Sequence, residues 1–562
     1  MKYSLFFLFI LMIFGLQAQS WERQLAQSQF VKPVSIPMVL SGTFCELRSN
    51  HFHGGIDIKT QGRTGLDIFS IADGYVTRIK ISPYGYGKAL YIHHPKTGIT
   101  SVYAHLKTFS PKIERYIKTI QKQKKKHTID QSVPVNVLKV SKKEIIAKSG
   151  NTGGSQAPHL HFELRHSANQ HPINPLFAFE IEDDVAPEID MLSYYSFSET
   201  HENVVLSQKT VGVNRIKSGF YTIEDTLTLT SFGGFSLSAF DRQSGARNKN
   251  GYRSIEYFVD NKPYFSLVFD EYSYSETRYI NSLIDYPYFK NHKKRLLKLY
   301  HEPNNRLSLS RKNAEQLHCF SPEQTHKALA VLRDYKNNTS VLTWHFKTHL
   351  PDSIPDPEAD FWILEGEAYR VDTAGIRLDF KAKSLYTDLN LSLISDFDST
   401  QTFSILPQHT PIHSPVKLQV DCPEIHQKNI NKLLIYNKKK NYKSYIKPKV
   451  SGNILSCKLR SFGDFGFELD TVPPTLQLPY LSEGKQAKTH TQITMIAKDD
   501  KSGVRSYNAT LDGQWISLYY DAKNQKIYHQ FENQPDGKKH SLHIELVDVC
   551  GNKTQIKRQF LR

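Results

Sequence analysis

The chain has 562 residues, which at about 150 residues per domain indicates roughly three to four domains. Hydrophobic residues make up 39% of the sequence and charged residues 23%, which excludes collagen, wholesale disorder and a polytopic membrane protein. The 72 Lys and Arg residues against 55 Asp and Glu give a net charge of +17, which favours an anionic partner. Charge alone does not choose among a nucleic acid, a membrane surface and an acidic polymer.

The first 18 residues have the pattern of a secretory signal peptide. Lys2 supplies the positive region, Leu5 to Phe14 form an unbroken apolar run, and Ala18 offers a cleavage point. The run is shorter than the ~20 residues that span a bilayer, and no later stretch reaches that length. We therefore predict an exported protein of the periplasm, the cell envelope or the medium, without a transmembrane span; a retained anchor is the alternative.

Residues 38–178 are dense in glycine and histidine and are predicted to form an antiparallel β domain. Strand-like runs cover residues 67–72, 74–81, 89–93 and 99–106. After Ser110 the apolar period changes to that of a helix, with Ser110 as N-cap and Pro111 at the first helical position. The sequence predicts one inserted basic helix over 111–126, which either lines a groove or presents a solvated face.

Beyond residue 180 the chain contains two copies of three short motifs. In the first copy they are Asp183 to Ile189, Ala239 to Gly245 and Leu332 to Asn338; in the second they are Asp470 to Leu476, Ala497 to Gly503 and Leu546 to Asn552. Short alternating strands with turns between them are typical of Ig-like β-sandwiches. The fold class is therefore predicted to be mainly β, with an Ig-like domain containing an insertion at 185–350, a further β domain at 351–469 and an Ig-like domain at 470–562.

These appended domains either bind the cell wall or a protein partner, or provide spacing and stability. Asp241, Asp499 and Asp500 could suggest calcium. However, Asp-x-x-Ser-Gly is more typical of a plain turn, because the dense oxygen spacing of a calcium loop is absent.

The five cysteines are too few for a fold built on disulfides. Cys422 and Cys457 fall in one predicted domain and are the only pair that we expect. Because the sequence has no Cys-x-x-Cys motif, a thiolate zinc site is not expected, and any bound metal must be held by His and Asp.

Four segments carry the candidate chemistry. They are His51-Phe52-His53-Gly54-Gly55-Ile56-Asp57, Tyr103-Ala104-His105-Leu106, Ser149-Gly150-Asn151-Thr152-Gly153-Gly154 and Pro158-His159-Leu160-His161-Phe162-Glu163. In an extended strand His159 and His161 project to the same face, so both imidazoles can reach one site. We expect Glu163 to face away from these histidines and give it no role in catalysis.

The spacing of His53 and Asp57 requires a bend. On a straight strand they would stand ~13 Å apart, whereas zinc ligand atoms each lie ~2.0 to 2.2 Å from the ion. The glycines at 54 and 55 are where the chain can bend. Two His and one Asp leave the fourth tetrahedral position for water, which is the arrangement of a catalytic zinc. His51 is interpreted as a turn residue or as a support of the site.

With these four segments in this order, the sequence resembles the lysostaphin/LytM-type zinc metallopeptidases. The family pattern is His-x-Gly-x-Asp, a His in a Tyr-x-His-like strand, and Ser-Gly-x-Thr-Gly before His-x-His, and every position is present here. The resemblance covers about residues 38–178. It implies a LytM-type fold and one Zn2+ per chain, bound by His53, Asp57 and His161, with His105 and His159 beside the water and the substrate carbonyl.

The resemblance also implies an activity. Family members cut peptide crosslinks of bacterial peptidoglycan, which agrees with the export signal and with the positive charge. We therefore expect an exported zinc endopeptidase in which zinc-bound water attacks the scissile carbonyl with two histidines assisting. The alternative is a catalytically silent protein that binds the wall or activates another hydrolase. No nucleic-acid motif is found, and the roles of His105 and His159, the bond cleaved and any latency stay open.

Overall fold

The structure is a computed structural model that describes residues 19–201, 204–311, 319–350, 360–397, 400–481, 484, 491–531 and 535–562. The predicted signal peptide at 1–18 lies outside these residues. In the described parts the chain is mainly β with antiparallel sheets, so the predicted fold class is confirmed at that level. A search of the same parts finds no helix with the length and apolarity that a membrane crossing requires.

The N-terminal unit contains helices α1 (Gln19–Gln27) and α2 (Pro111–Lys124) and a 3₁₀ turn (Pro175–Phe177). Its strands, β1 to β14 in chain order, are Leu40–Gly42, Leu47–Arg48, His51–Phe52, Ile56–Lys59, Asp67–Phe69, Gly74–Ile81, Lys88–His94, Ile99–Ala104, Thr108–Phe109, Ile129–Ser132, Lys139–Val140, Ile145–Lys148, His159–His166 and Pro172–Ile173. The main sheet has the order β1-β4-β13-β8-β7-β6-β10, and a smaller sheet has the order β5-β12-β9.

The register of the main sheet decides which residues meet. In the antiparallel pairing of β4 with β13, Asp57 lies opposite His161, and on the other side of β13 His161 lies opposite Ala104 of β8. One face of these strands is closed by buried apolar side chains, among them Ile58 and Leu160. Because side chains alternate between the two faces of a strand, Asp57 and His161 project from the opposite face together.

The inserted helix begins at the predicted residue and ends two residues earlier than predicted. Ser110 precedes it with an extended backbone and Pro111 is its first residue. Ile113 and Ile117 are buried against the N-terminal unit, as the apolar period indicates. Helix α2 ends at Lys124 because Lys125 adopts a left-handed conformation with φ of 48°. Helix α1 was not predicted.

The second unit contains strands β15 to β26. They are Glu188–Phe197, Val205–Gly212, Asn214–Lys217, Phe220–Thr222, Leu227–Thr230, Gly233–Phe240, Ser254–Val259, Lys262–Val268, Leu297–Lys298, Ser310–Arg311, Thr325–Arg333 and Thr339–His349. Between β22 and β23 lie a 3₁₀ turn (Tyr274–Tyr279) and helices α3 (Ile280–Leu283) and α4 (Tyr286–His292). The sheet orders are β16-β15-β20-β23 and β17-β18-β26-β25-β21-β22-β24, and β19 also pairs with β26.

The last two units each consist of two sheets around a core. Strands β27 to β37 are Phe361–Ile363, Tyr369–Thr373, Ile376–Phe380, Leu389–Asp396, Thr402–Leu406, Val416–Asp421, Leu433–Lys438, Lys443–Ile446, Lys449–Ser451, Ile454–Leu459 and Gly463–Leu469, with a 3₁₀ segment at Glu424–Lys432. Strands β38 to β45 are Thr475–Gln477, Gln492–Lys498, Val504–Leu511, Gln514–Trp515, Tyr519–Asp521, Lys526–Gln530, Lys539–Asp548 and Lys553–Leu561, with a 3₁₀ turn at Ala522–Asn524. We retain the predicted domain boundaries as a proposal.

The expected Cys422 and Cys457 disulfide is wrong, since both cysteines are free thiols. In the pairing of β32 with β36, Cys457 lies opposite Leu418, whereas Cys422 follows the end of β32. The four-residue offset along a strand corresponds to ~13 Å, and a disulfide joins Cα atoms ~4.4 to 6.8 Å apart.

The N-terminal unit contributes to the core of the second unit. Phe44 and Phe52 are buried in the same cluster as Phe269 and Tyr272, with ring centroids of Phe52 and Tyr272 5.5 Å apart. The Phe52 backbone N–H donates to Thr277 Oγ1 at 2.9 Å. The segment that leads into the candidate site at His53 is therefore anchored by contacts with the second unit.

Candidate metal centre

Two histidines and one aspartate converge at the end of strands β4 and β13. His53 Nε2 lies 3.0 Å from Asp57 Oδ1 and 2.9 Å from His161 Nδ1. His161 Nδ1 lies 2.9 Å from the same Asp57 oxygen. Three potential ligand atoms from distant points of the chain thus form one small triangle, and all three residues are buried.

The bend that joins His53 to Asp57 depends on Gly54 and Gly55. A Cβ atom on Gly55 would lie 2.1 Å from the Phe162 carbonyl oxygen, and one on Gly54 would lie 2.5 Å from the Tyr274 hydroxyl. Neither contact can be accommodated by any other residue type without moving the backbone of β13 or the second unit. The predicted place of the bend agrees with the structure, and the reason is close approach to neighbouring atoms.

Hydrogen bonds on the side away from the triangle determine which ring nitrogen of His53 and of His161 faces it. His53 Nδ1 donates to the Thr43 carbonyl oxygen at 2.7 Å, and His161 Nε2 donates to Glu163 Oε1 at 2.8 Å. When both rings are neutral, their inner nitrogens carry lone pairs that face each other, an arrangement that a cation between them stabilises. Ligands of a tetrahedral zinc at ~2.0 to 2.1 Å stand ~3.3 Å apart, so these residues fit a zinc ion.

Burial and neighbouring charges shift the pKa values of His53, Asp57 and His161 in opposite directions. Burial lowers the pKa of His53 to about 4, although Asp57 opposes the shift. Burial also lowers the pKa of His161, but hydrogen bonds to Asp57 and Glu163 outweigh it and raise that pKa to about 9. Burial tends to raise the pKa of Asp57, whereas His53 and hydrogen bonds from His159 and His161 hold it well below its usual value. The triangle is therefore a strongly polarised site in which an anion and basic nitrogens meet.

His105 and His159 border the triangle. Their ring centroids are 4.8 Å apart, and His159 Nε2 lies 3.4 Å from Asp57 Oδ1. His105 has a positive φ of 58°, a conformation that costs energy in a residue other than glycine and that clusters at functional sites. Burial and the neighbouring His161 and His159 lower the pKa of His105 to about 3, so this ring is neutral near pH 7.

The loop between β12 and β13 holds both bordering histidines through main-chain carbonyl groups. His105 Nδ1 donates to the Thr152 oxygen at 2.8 Å, and His159 Nδ1 donates to the Ala157 oxygen at 2.8 Å. Each ring therefore presents Nε2 as its free acceptor. The predicted glycine loop thus sets the tautomer of two site residues.

The fourth unit contacts this loop directly. The Tyr519 hydroxyl accepts from the Gly153 N–H at 3.2 Å, and Lys523 Nζ donates to the Ser155 carbonyl oxygen at 2.6 Å. Farther along the same face, the His127 ring stacks between Tyr507 and Trp515, with both centroid distances 5.0 Å. The loop that orients His105 and His159 is therefore supported by residues 366 and 368 positions away in the chain.

The expectation that Glu163 faces away from the histidines is wrong. Residues i and i+2 of a strand share a face, so Glu163 lies beside His161 and accepts its Nε2 proton. Its other oxygen accepts from Arg165 Nε at 2.6 Å and from the Tyr274 hydroxyl at 2.9 Å. Burial would raise the pKa of this carboxyl group, but Arg165 and His161 hold it low. The strand alternation was a sufficient signal for Glu163, whereas no local signal points to Tyr274 of the second unit.

Two further residues complete the surroundings. Arg48, the last residue of β2, binds Asp57 Oδ2 and leaves Oδ1 directed at the two histidines. His51 is exposed and its Nδ1 donates to the Ser49 carbonyl oxygen at 2.9 Å, so it lies outside the triangle. The structure brings together all five predicted site residues, which are His53, Asp57, His105, His159 and His161. Their roles in metal binding and catalysis are a proposal.

Comparison with known proteins gives two family matches. Residues 51–125 match the model of peptidase family M23, and residues 365–470 match the model of a Zu5-like domain. Curated relatives named DD-carboxypeptidase/endopeptidase Mpg, from Neisseria meningitidis serogroup B and from Neisseria gonorrhoeae, are each 33% identical over 130 residues. That stretch is 23% of this chain and 23% of each relative, so the chain matches less than a quarter of their length.

Solved structures similar to the chain include the catalytic domain of lysostaphin from Staphylococcus simulans, with 21% identity, a TM-score of 0.19, and coverage of 25% of this chain and 90% of that one. Another is Csd3 from Helicobacter pylori, with 27% identity, a TM-score of 0.19, and coverage of 27% and 33%. At TM-scores this low neither likeness carries an argument about function.

The order of the motifs, the sheet that joins them and the family match agree on one class of domain. Residues 51–125 of the N-terminal unit match peptidase family M23, which supports the predicted LytM-type peptidase domain. The third unit is described more specifically by its Zu5-like match than by the general β-domain prediction.

Proposed function

We propose that this protein is an exported, zinc-dependent endopeptidase that hydrolyses peptide crosslinks of bacterial peptidoglycan. The observation that carries the proposal is the triangle of His53 Nε2, Asp57 Oδ1 and His161 Nδ1, whose outer partners leave all three atoms free to bind one cation. Three protein ligands leave one tetrahedral position for a reactant, which distinguishes a catalytic from a structural zinc site.

We assign one zinc ion per chain to His53, Asp57 and His161. Zinc bound there would supply Lewis-acid chemistry, which lowers the pKa of a water toward ~7 and polarises a scissile carbonyl. Arg48 fixes the Asp57 carboxylate and Glu163 fixes the His161 ring, so the ligand atoms need little rearrangement. The chain contributes a preorganised site in which each ligand is oriented by a second residue.

His105 and His159 are the proposed proton-transfer groups. Both rings donate Nδ1–H to a carbonyl oxygen, so Nε2 of each can accept a proton from the attacking water or later donate one to the leaving amine. Their centroids are 4.8 Å apart, close enough for the two rings to flank one peptide bond. The division of labour between them is left open.

A peptidoglycan substrate is supported by the family of the domain, by the names of its curated relatives and by the charge of the chain. The relatives are named as carboxypeptidase and endopeptidase, and stem peptides carry carboxylates that a chain of net charge +17 attracts. The signal-peptide pattern at residues 1–18 supports export to the compartment that holds this polymer. Binding of the wall or of a protein partner by the downstream β units belongs to the same proposal.

The experiment is digestion of purified sacculi by the zinc-loaded full chain, with mass spectrometry of the released muropeptides and measurement of bound zinc. We expect one zinc per chain and new peptide termini at one crosslink type. His51→Ala is the matched control, because this exposed histidine lies two residues from His53 and its hydrogen bond goes to the Ser49 carbonyl oxygen, outside the triangle. One bound zinc without any product, under conditions in which sacculi bind, would instead support the catalytically silent wall-binding or hydrolase-activating protein.

A further inference from the structure

Each repeated motif of the second and fourth units contributes one aspartate to a common cluster. The first cluster, which we call the upper junction, contains Asp183, Asp241 and Asp334; the second, the lower junction, contains Asp470, Asp499 and Asp548. In each cluster one carboxylate oxygen of every residue lies within 4.8 Å of the others. The three motifs of each copy are far apart in sequence, and they meet in space in the folded chain.

The two clusters are built in the same way. In the upper junction Asn338 Nδ2 donates to Asp334 Oδ2 at 2.7 Å and to the Asp183 carbonyl oxygen at 3.1 Å. In the lower junction Asn552 Nδ2 donates to Asp548 Oδ2 at 2.7 Å and to the Asp470 carbonyl oxygen at 3.0 Å. The asparagine in each case ties the last aspartate of the unit to the first.

Several buried oxygen atoms at these clusters have no hydrogen-bond partner within the described part of the chain. Asp470 is 0% exposed and neither of its carboxylate oxygens is paired; Asp241 is 3% exposed and its Oδ1 is unpaired. Asn250, outside the acidic triad, is 4% exposed with an unpaired Oδ1, and it lines a cavity of about 70 Å³ together with Asp183 and Asp241. Buried carboxylates without partners are strongly unfavourable unless a cation neutralises them.

Among the described residues no Lys, Arg or His forms an ion pair with any of the six aspartates. At the lower junction the Lys432 ammonium group donates to Asn552 Oδ1 at 2.6 Å and to the Cys550 carbonyl oxygen at 2.9 Å. Three basic side chains close to the aspartates in sequence are paired with other acids. Lys336 pairs with Glu180 at 3.6 Å, Arg242 with Glu188 at 2.8 Å and Lys501 with Glu468 at 2.9 Å.

The three carboxyl groups of the upper junction are close together and repel one another. Burial and the adjacent Asp334 and Asp183 raise the pKa of Asp241 to about 9.

We propose that each junction binds one hard divalent cation, and that calcium is the ion that fits. The donor set consists of oxygen atoms alone. Zinc prefers nitrogen and sulfur ligands, so zinc is not the ion expected here. Calcium accepts six to eight oxygen ligands in a flexible geometry, whereas magnesium requires a nearly ideal octahedron and usually keeps several waters, so a cluster of buried carboxylates suits calcium better. Water and neighbouring amide or carbonyl oxygens complete the six to eight ligands.

This inference revises the expectation that Asp-x-x-Ser-Gly is only a turn. The turn does form, because Asp499 Oδ2 accepts from the Gly503 N–H at 2.6 Å and from the Lys501 N–H at 3.2 Å. The other oxygen of Asp499 is buried and unpaired at the cluster. One carboxylate thus closes the turn with one oxygen and offers the second to a cation.

The position of the clusters gives the cations a mechanical role. Asp183 lies in the connection before β15, and Asp470 directly follows β37, so each lies where the chain leads into a repeated unit. Asp334 and Asp548 lie at or just beyond the C-terminal ends of β25 and β44 of those units. A bound cation would fasten each incoming connection to the unit that follows and fix the angle between units.

The test is calcium titration of the full chain after removal of divalent ions and restoration of one equivalent of zinc. We expect two calcium ions per chain by calorimetry and a melting temperature that rises with calcium concentration. Asp241→Asn and Asp470→Asn should each remove one binding event or weaken it ~10-fold or more, because ligand charge sets calcium affinity. Asp184→Asn and Asp500→Asn, exposed neighbours of Asp183 and Asp499, are the matched controls and should bind two ions.

A second readout distinguishes cation binding from a purely structural role. In calcium-free buffer Asp470→Asn should melt at the same or a higher temperature than the unmodified chain, because the variant removes buried like charge; in saturating calcium it should melt lower. A variant that melts lower in both buffers would overturn the proposal, as would the absence of calcium binding or two-ion binding by the Asp241→Asn, Asp470→Asn double variant. Since the zinc triangle is untouched, these outcomes leave the proposed peptidase activity to its own test.

Discussion

The triangle of the N-terminal unit and the two acidic junctions are both buried clusters of charged or metal-binding groups, but they are prepared differently. In the triangle every ligand has an outer partner, namely Thr43 for His53, Arg48 for Asp57 and Glu163 for His161. In the lower junction Asp470 has no partner for either oxygen. The triangle is oriented before a cation arrives, whereas the junctions are unfavourable without one.

This difference is the one expected between a site proposed to perform chemistry and a site proposed to maintain shape. A catalytic ion must keep a fixed geometry with one free position, so its ligands are held by further hydrogen bonds. A structural calcium ion tolerates variable geometry and gains its affinity from charge. The same chain thus uses mixed nitrogen and oxygen ligands where a reaction is proposed and oxygen ligands alone where units are joined.

The largest effect is expected for His161→Ala. The variant removes one of three ligand atoms and leaves Asp57 and Glu163 without their shared partner, so zinc binding and peptidoglycan hydrolysis should both be lost. Zinc content after gel filtration and muropeptide release measure the two losses. If His161→Ala retains zinc while His159→Ala does not, the ligand assignment is reversed.

His159→Ala should separate catalysis from metal binding. The ring borders the triangle but is held by the Ala157 carbonyl group, so the variant should retain one zinc and lose ~10²- to 10⁴-fold in turnover, the usual contribution of a general acid or base. Zinc analysis and initial rates on a soluble crosslinked peptide give the two numbers. A loss of less than about threefold would remove His159 from the proposed mechanism.

Glu163→Gln should weaken zinc binding while leaving all three ligands in place. A neutral amide cannot supply the charge that orients and polarises His161, and loss of such a supporting carboxylate typically costs ~10- to 100-fold in affinity or activity. Competition with a zinc-binding dye measures the change. Glu182→Gln, an exposed position, makes the same change of charge and should behave as the unmodified chain.

The upper junction predicts a stability change with pH that bound calcium should suppress. The pKa of Asp241 is about 9 in the folded chain and ~3.9 when unfolded, so between these values the folded state binds more protons. In calcium-free buffer stability should therefore fall as pH rises from 5 to 8, and saturating calcium should flatten the dependence. The carboxyl groups that face Asp241 are Asp183, Asp334 and Glu188, while Arg242 pairs with Glu188.

Melting curves at several pH values, with and without calcium, provide the measurement. The Asp241→Asn variant is the control, because an amide at this position cannot titrate. A calcium-free slope of the same size in this variant would assign the pH dependence to other groups.

The smallest effect is expected for Lys523→Met in the fourth unit. Its ammonium group donates to the Ser155 carbonyl oxygen of the loop that orients His105 and His159, and water can replace it in part. A decrease of about two- to fivefold in kcat with unchanged zinc content is expected, since the contact is partly exposed and acts through the loop. Lys526→Met, an exposed lysine on the next strand, should leave kcat unchanged.

Much of the N-terminal unit could be predicted from the sequence because its signals are local. The alternation in Gly74–Ile81 and the helical period after Ser110 reflect the geometry of single elements, and both elements were placed within two residues. The candidate ligands followed from motif spacing and from the resemblance to the LytM-type family. The error at Glu163 had a different origin: the alternation that places His159 and His161 on one face was not applied two residues further on.

By itself the sequence determined the strand-rich class, the basic helix and the glycine bend between His53 and Asp57, since each depends on neighbours within a few positions. The candidate zinc ligands came from the order of the motifs and the family resemblance. Only the tertiary structure decided that Tyr274 and Lys523 support the metal centre and that three repeated motifs meet in each acidic junction. Such contacts join residues separated by tens to several hundred positions. They depend on how whole sheets pack, which no local pattern encodes.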